Sequence, residues 1–228
     1  MSSEKPKIKR RFHSANVAII GLGRFGTALA NELVASGHQV LGIDTDEKIV
    51  QNLAPVLTHV VTADTTDEET LRELGLTDMD SAVVAIGADL ESSILTASLL
   101  LQLGVKQVWA KANSASHGRI LTQIGVHHVI FPEYEMGRRV AHQVSGESLD
   151  YVHIDEDFVM VKTMVPEIFQ GKPLSEAKIR ATFGVTVVAV NHQEQGYKPA
   201  FPETVLYEGD TIVIAGPKGP LDDFCQLD

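Results

Sequence analysis

The chain of 228 residues, 44% hydrophobic with one cysteine, is long enough for one large domain or a medium and a small one, with a sizeable core. The lone Cys225 excludes an internal disulfide framework and a Cys-based structural zinc site, which fits a reducing cytoplasm. A net charge of −11 argues against free-standing nucleic-acid binding, which needs a basic stripe on the folded body.

In chain order, residues 1–14 come first as a basic tail. Lys5, Lys7, Lys9, Arg10 and Arg11 stand there against Glu4 alone. The tail reads as a solvated arm, with contact to anionic lipid or an acidic partner as the sharper alternative. No signal-like apolar stretch follows it, so secretion is not expected. From Asn16 on, short branched runs alternate with amphipathic stretches. Val17 to Ile20, Val40 to Ile43, His59 to Thr62, Ala82 to Ile86, Gln107 to Ala110 and His127 to Ile130 read as strands. Between them, Arg24 to Ser36 places Phe25, Ala28, Leu29 and Leu33 on one helical face and ends at Gly37. Asp46 to Leu53 forms a second helix. A third, Asp67 to Leu74, has Thr66 as N-cap and Glu69 three residues on, a capping box. Leu90 to Leu103 is apolar nearly all round, which predicts cover on more than one side. The uncharged run Ser92 to Val105 that includes it falls short of the ~18–20 apolar residues that span a bilayer.

Strict β-α alternation predicts an α/β, Rossmann-like, doubly wound parallel sheet, because right-handed crossovers return each helix to a face. The alternation stops near Gly146, giving a first domain over 15–146. Residues 149–228 predict a small α+β domain: strands at Tyr151 to Ile154, Phe158 to Val165, Val185 to Val190 and Thr211 to Ile214, with one short helix around Leu174 to Thr182.

The chemistry concentrates after the first strand. Gly21-Leu22-Gly23-Arg24-Phe25-Gly26 is a G-x-G-x-x-G fingerprint between a strand and a helix, and Asp44 ends the second strand. Gly21 permits the tight turn, Gly23 lets backbone approach a pyrophosphate, and Gly26 brings the helix close to the sheet. Helix N–H groups face the anion, and Asp44 can accept from ribose hydroxyls. Arg24 puts a permanent cation in the phosphate turn and tilts the reading toward a polyphosphate. Asp64 with Thr65, Ile86 with Gly87, and Lys111 lie at further carboxyl ends of strands, where open α/β sheets bind ligands. No catalytic constellation accompanies them. The adjacent His127 and His128 point to opposite faces of a strand and do not share one metal. No G-x-S-x-G elbow is present. A small NAD(P)-dependent oxidoreductase stands as the alternative, because hydride transfer needs only one acid or base.

With AIIGLGRFG, VTADTTDEETLRELG, AIGADLESSIL, VWAKAN and IGVHHVIFPEYEMGRRVA, the chain resembles the RCK (regulator of K+ conductance) or KTN family. These are the cytosolic nucleotide-binding subunits of Ktr- and Trk-type potassium uptake systems. GKPLSEAKIRATFGVTVVAVN and YEGDTIVIAG resemble the family's C-terminal ligand-binding (RCK_C, TrkA-C-like) subdomain. The resemblance implies a non-enzymatic regulatory subunit in a homo-octameric ring built from dimers. It would be cytoplasmic, peripheral on the inner face of the cell membrane through a membrane-embedded potassium-translocating subunit. It also implies ATP or ADP at Gly21, Gly23, Arg24, Gly26, Asp44, Asp64, Thr65, Lys111 and Glu133, with NAD or NADH as the Trk-like alternative. Glu133, after Pro132, sits where a helix starts. The resemblance places it near the terminal phosphates of a neighbouring subunit's nucleotide, bridged by Mg2+ or Ca2+. Cyclic di-AMP is implied in the second domain, at Arg180, Asn191 and His192. Two departures from the family pattern are Tyr134, where arginine is common, and the unusual SASHGRI segment.

Overall fold

A computed structural model describes residues 14–145, 148–155, 157–193 and 195–227. The basic tail read from the sequence lies, apart from Ser14, outside the described residues. The chain divides into two compact units between Pro132 and Glu133.

The first unit is built on six parallel strands: β1 (Asn16–Ile20), β2 (Gln39–Asp44), β3 (His59–Thr62), β4 (Ser81–Val84), β5 (Val108–Lys111) and β6 (His128–Ile130). Their order is β3-β2-β1-β4-β5-β6, the doubly wound arrangement that reverses between β1 and β4. Helices α1 (Arg24–Ala35), α2 (Glu47–Leu53), α3 (Glu68–Glu73), α4 (Leu90–Gln102) and α5 (Ala115–Gln123) are the crossovers. Ile20, Ile43, Val84 and Ala110 pack with Leu71, Leu100 and Leu121 on one side of the sheet. Ile19, Val40 and Val83 pack with Ala30 on the other. Sheet positions buried on both sides explain the near-continuous apolar strands.

Three local expectations are corrected. The cap of α3 is Asp67, whose carboxylate accepts from Thr70 N at 2.9 Å, while the Thr66 hydroxyl is taken by Asp64 at 2.7 Å. A carboxylate at the N-cap favours the helix dipole more than a hydroxyl does. The buried face of α1 holds Gly26 and Ala30, with Leu29, Leu33 and Val34 packed beside them, and Ala28 is exposed. Close approach to the sheet selects small residues there. Finally, β4 stops at Val84, opposite the last residue of β1; Ala85 N still donates to the Ile20 carbonyl at 2.7 Å, and Ile86 and Gly87 form the loop beyond it.

The second unit carries an antiparallel sheet in the order β10-β9-β11-β8-β7. Its strands are β7 (Asp150–His153), β8 (Phe158–Met164), β9 (Thr186–Asn191), β10 (Tyr197–Pro199) and β11 (Thr211–Pro217). Helix α6 (Pro132–Val144) opens it, and α7 (Leu174–Ala177), α8 (Ile179–Phe183) and α9 (Lys218–Cys225) complete it. Phe169, Phe183 and Phe224 stack and abut edge-on over Val159, Val161, Ile212 and Ile214, so this unit has its own core. The single helix expected over Leu174 to Thr182 is broken at Lys178, which takes φ 49°. Strand β10 and helix α9 were not anticipated. Among the described residues no helix is long and apolar enough to cross a membrane.

Candidate functional site

The six-residue glycine turn lies at the point where the strand order reverses. Gly21 has φ 91°, and a Cβ there would come 2.9 Å from Ile86 N, so the loop after β1 is pressed against the loop after β4. Only glycine satisfies both the backbone and the space. A Cβ on Gly26 would run into the Gly21 carbonyl oxygen, which is how closely α1 approaches the turn. Gly23 is different: nothing lies within 4 Å of its Cβ position. It is the N-cap of α1, no side chain caps the helix, and no acidic residue occupies its first turn. The positive end of α1 therefore faces open space with Arg24, exposed, as its first residue. That combination suits phosphate.

Asp44, at the end of β2, accepts from Leu22 N at 2.6 Å through one oxygen and from Asp46 N at 2.9 Å through the other. The carboxylate thus anchors the glycine turn, and each oxygen retains a lone pair for a ribose hydroxyl. Asp64 is exposed and closes a turn on Thr66 N at 2.9 Å. Thr65 faces the other way. It is buried, and its hydroxyl lies 2.9 Å from Thr96 Oγ1 of α4, whose own hydroxyl donates to the Thr65 carbonyl at 3.2 Å.

Ile86 and exposed Gly87 follow β4, and Lys111 ends β5. The Cβ position of Gly87 is 3.5 Å from Lys111 Nζ, and the same ammonium is 6.0 Å from the Phe25 ring centroid. Phe25, Gly87 and Lys111 thus meet at the carboxyl end of the sheet. Two residues in this corner were not singled out from the sequence. The Asn113 side chain donates to the Gly87 carbonyl, and Asn113 N donates to Nδ1 of buried His117 at 3.3 Å. Burial holds the His117 pKa below its ordinary value. The only sequence signal was the atypical SASHGRI segment that contains it.

In the second unit, Glu133 is an exposed first-turn acid of α6. Arg180 of α8 donates from Nε to Thr186 Oγ1 at 3.1 Å. Asn191 ends β9, and His192 follows with Nδ1 2.7 Å from Oδ2 of Asp210, which is fully buried and also accepts from Tyr207 N at 2.9 Å. Asp210 was likewise missed, because an acidic residue in a YEGD turn reads as solvated. His127 Nδ1 accepts from Val108 N at 2.9 Å, while His128 stacks on Trp109 with centroids 3.8 Å apart. Among the described residues no three His, Cys, Asp or Glu converge as a metal site.

The TrkA-N domain model matches residues 17–132, and the TrkA-C domain model matches 159–227. Ktr system potassium uptake protein A of Bacillus subtilis is 34% identical over 215 residues, 94% of this chain and 97% of that protein. Ktr system potassium uptake protein C of the same organism is 35% identical over 200 residues, 87% and 90% of the two chains. Protein A of Vibrio alginolyticus is 38% identical over 205 residues, covering 90% and 93%. Among solved structures, the GsuK channel superposes with TM-score 0.68 at 19% identity, over 95% of this chain and 40% of its own. The GsuK channel bound to NAD gives 0.67 at 19%, over 92% and 39%. GsuK bound to ADP gives 0.52 at 17%, over 61% and 39%. These channels share the fold, and the chain spans less than half of their length. Matched by both domain models in their order along the chain, and by Ktr system potassium uptake proteins over nearly their whole length, the chain belongs to the family of TrkA-N and TrkA-C domain proteins.

Proposed function

We propose that this chain is a regulatory, non-catalytic subunit that binds ATP or ADP in its first unit and gates a membrane-embedded potassium-translocating subunit. The observation that carries the reading is the uncapped N-terminus of α1 at the strand-order reversal, open above Gly23 and flanked by Arg24 and Asp44. Backbone N–H groups of the turn would hold the phosphates, the Arg24 guanidinium the terminal ones, and Asp44 the ribose. Ile86, Gly87 and Lys111 close the opposite side of the same corner. Two Ktr relatives from Bacillus subtilis, aligned over nine-tenths or more of their length, supply the potassium-uptake context.

The finer parts of the proposal are the homo-octameric ring built from dimers, Mg2+ or Ca2+ carried between Glu133 and the nucleotide of a neighbouring subunit, and cyclic di-AMP at Arg180, Asn191 and His192. In domain terms, 15–146 would sense nucleotide and 149–228 would take the second ligand. A divalent ion would supply charge neutralisation between carboxylate and triphosphate. The second reading, an NAD(H)-regulated subunit, is favoured by one finding, the NAD of the GsuK channel, which shares this fold.

Calorimetry with ATP, ADP, NADH and cyclic di-AMP, with and without Mg2+, separates these readings. Potassium flux through a co-reconstituted Ktr-type translocating subunit then tests gating. Tighter binding of NADH than of either adenine nucleotide would overturn the ATP/ADP assignment. Substrate-dependent NADH oxidation would replace the regulatory reading with the oxidoreductase.

A further inference from the structure

We infer that His117 and Asn113 act together as positioning residues for the nucleotide site, holding the Gly87 loop beside Lys111. The inference rests on the nucleotide reading of that site. Its starting point is an apparent waste: His117 is 1% exposed, and its Nε2 is buried without a hydrogen-bond partner. A neutral imidazole whose Nδ1 accepts carries its proton on Nε2, so the buried ring keeps an unsatisfied donor. Such a group costs more than an apolar side chain of similar size would. What the ring provides in return is its other nitrogen. Nδ1 accepts from Asn113 N at 3.3 Å, and its own backbone N–H donates to the α5 cap, Ser114 Oγ, at 3.1 Å. Both bonds close the turn between β5 and α5.

That turn has one outward consequence. Asn113 is exposed, yet its amide reaches across to the carbonyl of Gly87 in the loop after β4. Gly87 carries no side chain, and the space its Cβ would take adjoins Lys111 Nζ at 3.5 Å. The loop at the end of β4 is thus tied to the end of β5 through a side chain whose backbone is set by His117. Burial, the sole cause of the lowered His117 pKa, keeps the ring neutral and Nδ1 an acceptor at neutral pH. Within α5 the Phe131 ring packs directly on Gly118, where a Cβ would overlap it. Neither Asn113 nor His117 needs to touch the nucleotide for this to matter, since a loop left untied must be ordered at the moment of binding.

The test uses the full chain and three variants. His117→Asn keeps an acceptor oxygen where Nδ1 lies, His117→Leu removes it, and Asn113→Ala cuts the tie to Gly87. Hydrogen exchange in the ligand-free protein should show faster exchange of the 86–88 amides in His117→Leu and Asn113→Ala, with His117→Asn close to the parent. Calorimetry with ATP should show affinity lowered roughly tenfold in the first two and restored in His117→Asn, the size expected for one lost positioning contact. The double variant His117→Leu/Asn113→Ala should lose no more than either single one, because both act through one tie. Unchanged exchange at 86–88, or additive losses in the double variant, overturns the positioning pair even where the parent binds ATP. A parent that binds no nucleotide overturns the site reading instead, and the exchange result still decides the tie.

Discussion

The Asp44 carboxylate grips Leu22 N at 2.6 Å, so the acid that ends β2 is a structural brace of the glycine turn as well as a candidate ribose acceptor. Its second oxygen is occupied by Asp46 N. Asp44→Ala should therefore lower stability by about 1.5–3 kcal/mol, the usual worth of hydrogen bonds to a charged group, and weaken ATP binding at the same time. Asp44→Asn keeps one acceptor oxygen and should fall between parent and Ala. Urea unfolding and calorimetry on the same samples check this, and a stable Asp44→Ala protein would deny the bracing role.

Glycines of the same fingerprint should behave in opposite ways. A Cβ on Gly26 meets a backbone carbonyl, which cannot move aside, so Gly26→Ala should cost about 1–3 kcal/mol or more. The Cβ position at Gly23 is open and its φ is −64°, so Gly23→Val should leave folding within about 1 kcal/mol. Yet that side chain would fill the space proposed for a phosphate group, and nucleotide binding should disappear. Gly23→Val with parental ATP affinity would remove the phosphate from this turn.

The contrast between the two units shows what a sequence can and cannot carry. In the first, the strands were legible because each is branched, short and closed by a turn residue, and the glycine turn announced its own place. The fingerprint glycines and Asp44 come together because the strand-turn-helix pattern and the neighbouring strand β2 place them through the backbone. Thr65 did not follow: its position at a strand end was readable, but its inward rotation is decided by Thr96, distant in the chain. Asn113 shows the same problem, since its partner Gly87 is 26 residues away, whereas the His117 contact is local and left only the atypical SASHGRI segment as a signal. In the second unit, β10 has only three exposed residues including Pro199, and α9 holds Gly219 and Pro220 in its first turn, so neither shows a periodic signal. Lys178 in a left-handed conformation splits what looked like one helix.

Helix α6 has no buried residue, so its attachment within the second unit is polar and should respond to pH. Arg138 Nη2 lies 2.7 Å from His153 Nε2, Arg139 forms a two-pronged pair with Asp150, and His142 stacks on Tyr151 at 3.9 Å. A guanidinium only donates, so His153 must be neutral to accept. Burial first, then the charges of Arg138, Lys218 and His142, hold its pKa below the ordinary value, against the opposing pull of Asp222. The docked state favours the neutral ring, so this contribution is complete above the ordinary value of about 6.5 and fades as pH falls below it. Asp150, whose pKa is lowered chiefly by its hydrogen bond to Arg139, keeps its charge until far more acid conditions. Hydrogen exchange of the 138–144 amides, corrected for intrinsic rate, should therefore accelerate between about pH 7.5 and 5.5. His153→Gln accepts without titrating and should flatten that change; an identical pH response in the variant would assign the effect elsewhere.

The Thr65–Thr96 contact yields an asymmetric prediction, because one hydroxyl has a single proton to give. Thr96 gives its proton to the Thr65 carbonyl at 3.2 Å, which leaves Thr65 Oγ1 to donate to Thr96 Oγ1 across 2.9 Å. Both side chains are buried, with Thr96 at 0% and Thr65 at 5% exposure. Thr96→Val deletes the partner of two groups at once, the Thr65 hydroxyl and the Thr65 carbonyl, and each buried polar group left unmatched costs about 1–3 kcal/mol. Thr65→Val deletes only one donor, while the Thr96 hydroxyl still reaches the backbone carbonyl, so its cost should stay near 1 kcal/mol. The same geometry separates two roles for Thr65 in the site. Its hydroxyl is turned toward α4, so Thr65→Val should leave ATP affinity within about threefold of the parent, below half of the 1.4 kcal/mol that marks a tenfold change. Thr96→Val, by loosening the backbone that carries Asp64 and Thr65, should weaken ATP binding more, although Thr96 sits on α4 rather than at a strand end. Urea midpoints and ATP calorimetry for the two variants decide it. A larger affinity loss in Thr65→Val than in Thr96→Val would mean that the hydroxyl rotates out to meet the nucleotide and that the inward pair is given up on binding.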